Sequence, residues 1–339
     1  MEQTEDTVLR VSDLQTKFKV GKRIVNAVNG VSLALKRGKT LGIVGESGCG
    51  KSVTAHSILQ LLPQAGYIAG GTVEYIRKDG EVIRLDELKP DGKEMRAIRG
   101  KEIAMIFQDP MSSLNPVYTI GSQIMENLRQ HEKIDKKAAK QRILALLCKL
   151  GIPDSAARYG DYPHQFSGGM KQRVMIAIAM VCNPDVLIAD EPTTALDVTI
   201  QAQILELMQS LRDEYGTSVI LITHNMGIIA EHCDEVAVMY MGRIVECGRL
   251  EDIFAEPLHP YTRALMRSVP VLGMDRRREL TTIPGSTPDA STVFSGCEFA
   301  ERCAEARPEC FLRFPTETVC RPGHTVRCLL YEGENHGDK

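Results

Sequence analysis

Residues 8–45 alternate apolar and polar positions through VLRVSDL and IVNAVNGVSLAL, turn at Lys36-Arg37-Gly38, and then enter the apolar run TLGIVG. Alternation with a period of two predicts strands with one buried face, and the unbroken run 40–44 predicts a strand buried on both faces. From Ser52, SVTAHSILQLL takes helical spacing up to Pro63, so Gly45–Ser52 is a strand-to-helix turn. Residues 66–107, with GTVEYI, EVIRLDEL and EIAMIF, read as short strands broken by Lys78-Asp79-Gly80 and Pro90-Asp91-Gly92. After Thr119 the period changes. IGSQIMENLRQ and AAKQRILALLCKLG carry apolar residues three and four apart, and the second stops at Gly151, where a left-handed cap ends a helix. SGGMKQRVMIAIAMVC is a further helix ending before Pro184, followed by DVLIADEP, a short apolar strand closing on two acids. A helix over 199–215, a buried strand over 218–223 and a hairpin over 236–246 complete the pattern. Buried strands alternating with helices predict a parallel sheet covered on both faces. From Pro257 the composition shifts towards Pro, Arg, Thr and Ser, which marks a boundary and a separate module.

The length of 339 residues suits two domains or one large domain with an appendage. A net charge of -3 leaves no electrostatic footprint for nucleic acid, and the run Arg276-Arg277-Arg278 reads as a solvated linker. The longest apolar run, 174–182, is about half of what a bilayer span needs. The acidic start MEQTEDTVLRVSDL has no signal-peptide pattern, so a cytosolic setting is expected. Cys49, Cys148, Cys182, Cys233 and Cys247 are scattered singly and read as small buried hydrophobes. The other five cysteines crowd into residues 297–328, and in a reducing compartment such a cluster favours a metal site over disulfides.

GESGCGKS, residues 45–52, fits the phosphate-loop spacing. Its glycines let the backbone wrap a phosphate with N–H groups inward, Lys51 supplies charge, and the Ser52 hydroxyl can ligate Mg²⁺. Gly45, Ser47, Gly48, Cys49, Gly50, Lys51, Ser52 and Val53 form the expected nucleotide cradle, with Cys49 contributing only its backbone N–H. Asp190 ends the strand in DVLIADEP, placed to hold Mg²⁺ through water, and Glu191 follows where it can polarise a water towards the γ-phosphate. Ser167-Gly168-Gly169 before a long helix is a second phosphate-binding terminus. One nucleotide does not need two cradles from one subunit, so this one is expected to close on a neighbour's nucleotide.

The order GESGCGKS, IFQDP, FSGGMKQR, VLIADEP, TALD and ITHN over residues 8–250 resembles the nucleotide-binding subunit of an ABC transporter. That resemblance implies a P-loop α/β ATPase core with an antiparallel β-subdomain and a helical subdomain near 110–180. It implies that Phe18 stacks on adenine, Gln108 reaches Mg²⁺ and the attacking water, and His224 contacts the γ-phosphate. Asp197 would cross a dimer interface, and Gln165 would touch the partner's nucleotide beside Ser167, Gly168 and Gly169. Phe166 and Met170 replace the family's usual leucine and glutamine without touching the Ser-Gly-Gly turn.

IFQDPMSSLNPVYTIGSQI, PLHPYTRALMRSVP and IPGSTP, with the cysteine tail, look like the oligopeptide/dipeptide importer branch, which includes nickel and glutathione relatives. The implied division is a nucleotide-binding domain over 1–256 and a C-terminal extension over 257–339. The implied partners are two membrane permeases, a second ATPase subunit or another copy of the chain, and an extracytoplasmic binding protein. The place is the cytoplasmic face of the membrane, peripherally, with no role for nucleic acid; a soluble nucleic-acid ATPase is the alternative class. A helix-rich groove over 109–165 would receive a short permease helix.

In the tail, Cys297, Cys303 and Cys310 lack the tight Cys-x2-Cys pairs of zinc modules, and either Cys320 or Cys328 follows as a fourth thiol. Zinc and an iron–sulfur cluster both remain open on spacing. The branch resemblance points to a [4Fe–4S] cluster on Cys297, Cys303, Cys310 and Cys328, with Cys320 outside the pattern as a free thiol or a substitute fourth ligand; His324, close by in sequence, reads as a surface histidine.

Overall fold

The computed structural model describes residues 6–109, 113–194, 196–268 and 283–333. Pro110, Met111 and Ser112 of the IFQDPMSSLNP stretch, Ala195 of TALD and the Arg276-Arg277-Arg278 run lie outside the described residues.

The chain begins with β1 (Thr7–Val20), β2 (Arg23–Lys36), β3 (Thr40–Val44), α1 (Lys51–Ile58), β4 (Gly66–Ile76) and β5 (Val82–Arg84). Next come α2 (Lys93–Ile98), β6 (Ile103–Ile106), α3 (Ile120–His131), α4 (Lys136–Lys149), α5 (Ser155–Arg158) and α6 (Gly168–Met180). There follow β7 (Val186–Asp190), α7 (Val198–Tyr215), β8 (Ser218–Thr223), α8 (Met226–His232), β9 (Glu235–Tyr240) and β10 (Arg243–Arg249). The last elements are α9 (Leu250–Ala255), α10 (Pro260–Arg267), β11 (Thr318–Arg321) and β12 (His324–Val326).

These elements form two compact units, one over residues 1–8, 35–39 and 87–220, the other over 9–34, 40–86 and 221–339. In the first unit β6 and β7 pair in parallel, Ile103 opposite Val186 through Ile106 opposite Ala189. Every residue of β7 is buried, which is why its sequence reads as one apolar run. Helix α6 buries Val174, Met175, Ile176, Ala177, Ala179 and Met180, so its apolar positions cover most of its circumference. The α3 helix joins it through Asn127, whose amide donates to the Ile178 carbonyl over 2.7 Å.

In the second unit β3 runs parallel to β9, Leu41 opposite Glu235, and β9 turns antiparallel into β10. Strand β10 also pairs with β12, and β12 with β11, so the C-terminal hairpin extends the sheet that begins at β3. Separately, β1 pairs antiparallel with β4, and β4 with β5. The strand expected to run on through EVIRLDEL ends at Arg84. There the Asp86 carboxylate turns back to accept from the Val73 N–H at 2.7 Å and the Arg84 guanidinium at 2.7 and 3.0 Å. These bonds hold a 3₁₀ turn over Leu85–Glu87 in place of further strand. Among the described residues no helix is long and apolar enough to cross a membrane.

Candidate functional site

In the second unit β3 delivers the chain into the glycine-rich loop. Gly48 and Gly50 have φ of +80° and +104°, which strain any side-chain-bearing residue. Gly45 has no room for a side chain: a Cβ there would lie 2.1 Å from the Met239 carbonyl oxygen. The Lys51 ammonium, with the residue 5% exposed, donates to the Gly45 carbonyl at 2.8 Å and the Glu46 carbonyl at 3.0 Å. Ser47 and Gly48 are exposed at the rim, and Ser52 and Val53 are half-buried in the first turn of α1. The cation thus lies inside a ring of backbone, where an anion at the rim would meet N–H groups and a positive charge. Cys49 is buried, its thiol pushed up by desolvation, and its N–H donates to the Glu46 carbonyl at 3.3 Å.

Phe18 is half-buried on β1 opposite Gly66, where a Cβ would stand 2.7 Å from its ring. Two residues earlier, the buried hydroxyls of Thr16 and Ser57 meet at 2.7 Å, tying β1 to α1. His224 is exposed beyond β8, just before Asn225, whose side chain caps α8 by accepting from the Gly227 N–H at 2.8 Å.

The first unit carries the acids. Asp190 is 2% exposed at the end of β7. Glu191 has φ of +45°, a left-handed conformation that costs a non-glycine residue on the order of 1–3 kcal/mol and persists mainly where function demands it. Its carboxylate accepts from the Gln108 amide at 3.1 Å and the Thr194 hydroxyl at 2.8 Å. The following turn is held by the Gln201 amide, which donates to the Thr193 and Leu196 carbonyls at 3.0 Å each. Thr194 and Gln201 lie outside the sequence motifs; a hydroxyl three residues beyond an acid is the one local signal for the first.

Ser167, exposed, caps α6 by accepting from the Met170 N–H at 3.3 Å, and Gly168 beside it is also exposed. A Cβ at Gly169 would come 2.9 Å from Ile200 Cγ2, so this glycine lets α6 approach α7. Asp197 is exposed and caps α7, accepting from the Ile200 N–H at 3.0 Å, and Val198 next to it is 81% exposed. Gln165 is exposed too, its side-chain oxygen accepting from the Tyr162 N–H at 2.7 Å. Phe166 is buried, with the Arg158 guanidinium 5.8 Å over its ring, so the replacement of leucine faces inward.

The cysteine tail departs from expectation. All ten cysteines are free thiols, and among the described residues no three His, Cys, Asp or Glu side chains are placed to hold a metal ion. Cys297 nonetheless packs on Cys310. The Cys297 N–H donates to the Cys310 carbonyl at 2.7 Å. Burial, then the charges of Glu298, Cys328 and Cys310, push the Cys297 thiol up to about 12. Cys328 is pushed to about 11 by burial and by Cys303 and Cys310. Cys320 packs with Leu258, Val326 and Cys328. Cys148 is exposed, contrary to the buried reading, because its position on α4 faces away from Leu146 and Leu147.

His324 is fully buried, against the surface position expected from its sequence context. Its Nε2 lies 2.8 Å from Glu246 Oε1, and the same carboxylate accepts from the Leu258 and His259 N–H groups at 2.7 and 2.9 Å. A buried acid on β10 draws the histidine inward, because an unpaired carboxylate there would be costly. His259 caps α10, its Nδ1 accepting from the Tyr261 N–H at 3.0 Å. Burial lowers its pKa from 6.5 to about 4. The unfolded chain therefore gains a proton before the folded chain does as pH falls. Stability is complete above pH 6.5 and declines towards pH 4, at up to about 1.4 kcal/mol per pH unit for one proton. His259→Asn keeps a capping acceptor and is expected to flatten this acid limb in denaturant titrations taken across that window.

Two family models match the chain: ABC transporter over residues 28–194, and the oligopeptide/dipeptide transporter C-terminal region over 245–310. The dipeptide transport ATP-binding protein DppD of Bacillus subtilis is 49% identical over 328 residues, covering 96% of each chain. A probable peptide ABC transporter ATP-binding protein of Sinorhizobium fredii is 50% identical, covering 95% of each. Among solved structures, a dimeric ATP-binding cassette in a post-hydrolysis state with ADP and Pi is 27% identical with a TM-score of 0.62. That match covers 71% of this chain and 98% of the cassette. With the phosphate loop, the strand-terminal acids and both family regions in one sequence, the chain belongs to the ABC transporter family as an ATP-hydrolysing subunit with the oligopeptide/dipeptide-type C-terminal region.

Proposed function

We propose that this subunit powers import of dipeptides or oligopeptides through a membrane permease. The observation that carries the reading is the C-terminal region joined to an intact phosphate loop, together with relatives named for peptide transport at about half identity over nearly the whole chain. Lys51 neutralises the terminal phosphates, Ser52, Asp190 and Gln108 serve Mg²⁺, and Glu191 polarises the attacking water, assisted by His224. Phe18 supplies a stacking face for adenine. Ser167, Gly168, Gly169, Gln165 and Asp197 face a second ATPase subunit, a related chain or another copy of this one. The exposure of Ser167, Gly168, Gln165 and Asp197, with that of Val198, supports the assignment. Val117 and Tyr118, 72% and 57% exposed just before α3, suit the apolar face of a permease helix on the cytoplasmic side. Co-reconstitution with two permeases and a binding protein tests the substrate. Peptide-stimulated turnover is expected; stimulation by nickel, glutathione or DNA in its place would overturn the peptide reading.

The same proposal extends to the tail. The all-thiolate character of Cys297, Cys303, Cys310 and Cys328, with Cys297 packed on Cys310, supports a [4Fe–4S] cluster there, with zinc as the alternative. Such a group would supply a structural clip to a module with little core of its own. Anaerobic purification followed by iron, sulfide and zinc analysis decides it. Four iron atoms per chain are expected (roughly, given partial occupancy), and stoichiometric zinc without visible absorbance would sink the cluster.

A further inference from the structure

Every polar group of Glu46, the second residue of the phosphate loop, is occupied. Its carboxylate receives both terminal nitrogens of Arg302, at 2.6 and 2.9 Å, and the Thr287 hydroxyl at 3.2 Å. Its N–H donates to the Tyr261 hydroxyl at 2.9 Å, and its carbonyl accepts from Lys51 at 3.0 Å. The far ends of these bonds are fixed in turn. The Arg302 side chain is 6% exposed, donates through Nε to the Pro284 carbonyl at 2.8 Å, and lies against the rings of Tyr240 and Phe299. Tyr261 is fully buried, its ring 4.7 Å from that of Tyr240 and 5.3 Å from that of Phe299.

We infer that Arg302 and Tyr261 are positioning residues for ATP, holding Glu46 so that the phosphate loop keeps its shape before nucleotide arrives. Two physical effects follow from the geometry. A loop with glycines at 45, 48 and 50 has much backbone freedom to lose on wrapping a phosphate. A bidentate, charge-assisted pair anchored in a buried aromatic cluster removes part of that loss in advance. Arg302 also neutralises a carboxylate that would otherwise stand on the same loop as an incoming triphosphate. The contact joins residues 256 positions apart, so the C-terminal region acts on the nucleotide loop through direct hydrogen bonds.

The inference rests on ATP occupying this loop, which the wild-type chain checks. Titration of the full-length protein with a fluorescent ATP analogue and Mg²⁺ measures affinity, and steady-state kinetics separate KM from kcat. Arg302→Ala is expected to weaken binding at least about tenfold and raise KM in step, with kcat at saturating ATP changed far less. Arg302→Lys restores part of the affinity, since it keeps the charge and loses the fork. Glu46→Ala should cost a similar factor, and Arg302→Ala with Glu46→Ala no more than the worse single change, because both remove one interaction. Tyr261→Phe, which keeps the ring in its cluster, covers the case in which Arg302→Ala fails to fold; a severalfold loss of affinity is expected. Affinity within about twofold of wild type for Glu46→Ala and Tyr261→Phe, with only melting temperature lowered, would reduce these contacts to a structural staple and overturn the inference. Absence of nucleotide binding by the wild-type chain would instead remove the ATP premise itself.

Discussion

Glu191→Gln is expected to lower ATP turnover by about a hundredfold or more, the scale of a lost general base, while leaving nucleotide binding intact. The substitution is nearly isosteric. An amide oxygen still accepts from the Gln108 amide or the Thr194 hydroxyl, so the turn after β7 has no reason to rearrange. What disappears is the negative charge that would draw a proton from the attacking water. The positive φ at Glu191 makes the position sensitive to backbone relaxation, and glutamine is the replacement that disturbs it least. With hydrolysis blocked, ATP and Mg²⁺ should hold two subunits together, visible as a doubling of mass in size-exclusion chromatography with light scattering. Turnover within a factor of about two of wild type would show that Glu191 is not the base.

Lys51→Ala is expected to abolish measurable ATP binding at concentrations near the wild-type Kd, a loss of about a hundredfold or more for a charge-assisted contact in a closed backbone ring. The side chain has two roles here. It offers charge to phosphate, and it satisfies the Gly45 and Glu46 carbonyls, which its removal leaves without that donor. Part of the loss will therefore register as reduced thermal stability. Isothermal titration with ATP and Mg²⁺, beside a melting curve, separates the two. Unchanged affinity with a lowered melting temperature would mean that the cation is structural only.

The local pieces of this architecture were legible because they obey local rules. β3 and β7 announce themselves as unbroken apolar runs, since each is buried along its whole length. The phosphate loop is legible from glycines whose positive φ leaves no other residue comfortable. Glu191 was singled out by its place after a buried strand, although its strained backbone leaves no trace in the sequence. What could not be read depends on partners far along the chain. Glu46 filled a variable position of the loop motif, and nothing near it points to Arg302 or Tyr261. His324 follows a turn glycine in a polar stretch, which is why it read as exposed; its burial follows from Glu246, 78 positions earlier. Residues 93–98 form a helix of only one and a half turns, too short for a periodicity to emerge.

The carboxylate of Glu246 has a bearing on how such a protein can be cut and recombined. It is 1% exposed, and its three partners are the Leu258 and His259 N–H groups and the His324 imidazole. Ending the chain at Glu256, where the composition first shifts, would strip all three from a charge that stays under β10. Grafting a foreign C-terminal region would do the same unless it brought equivalent donors. The tail is thus inherited with the strand it covers, and exchange of modules between transporters would succeed only at a join that moves Glu246 and His324 together.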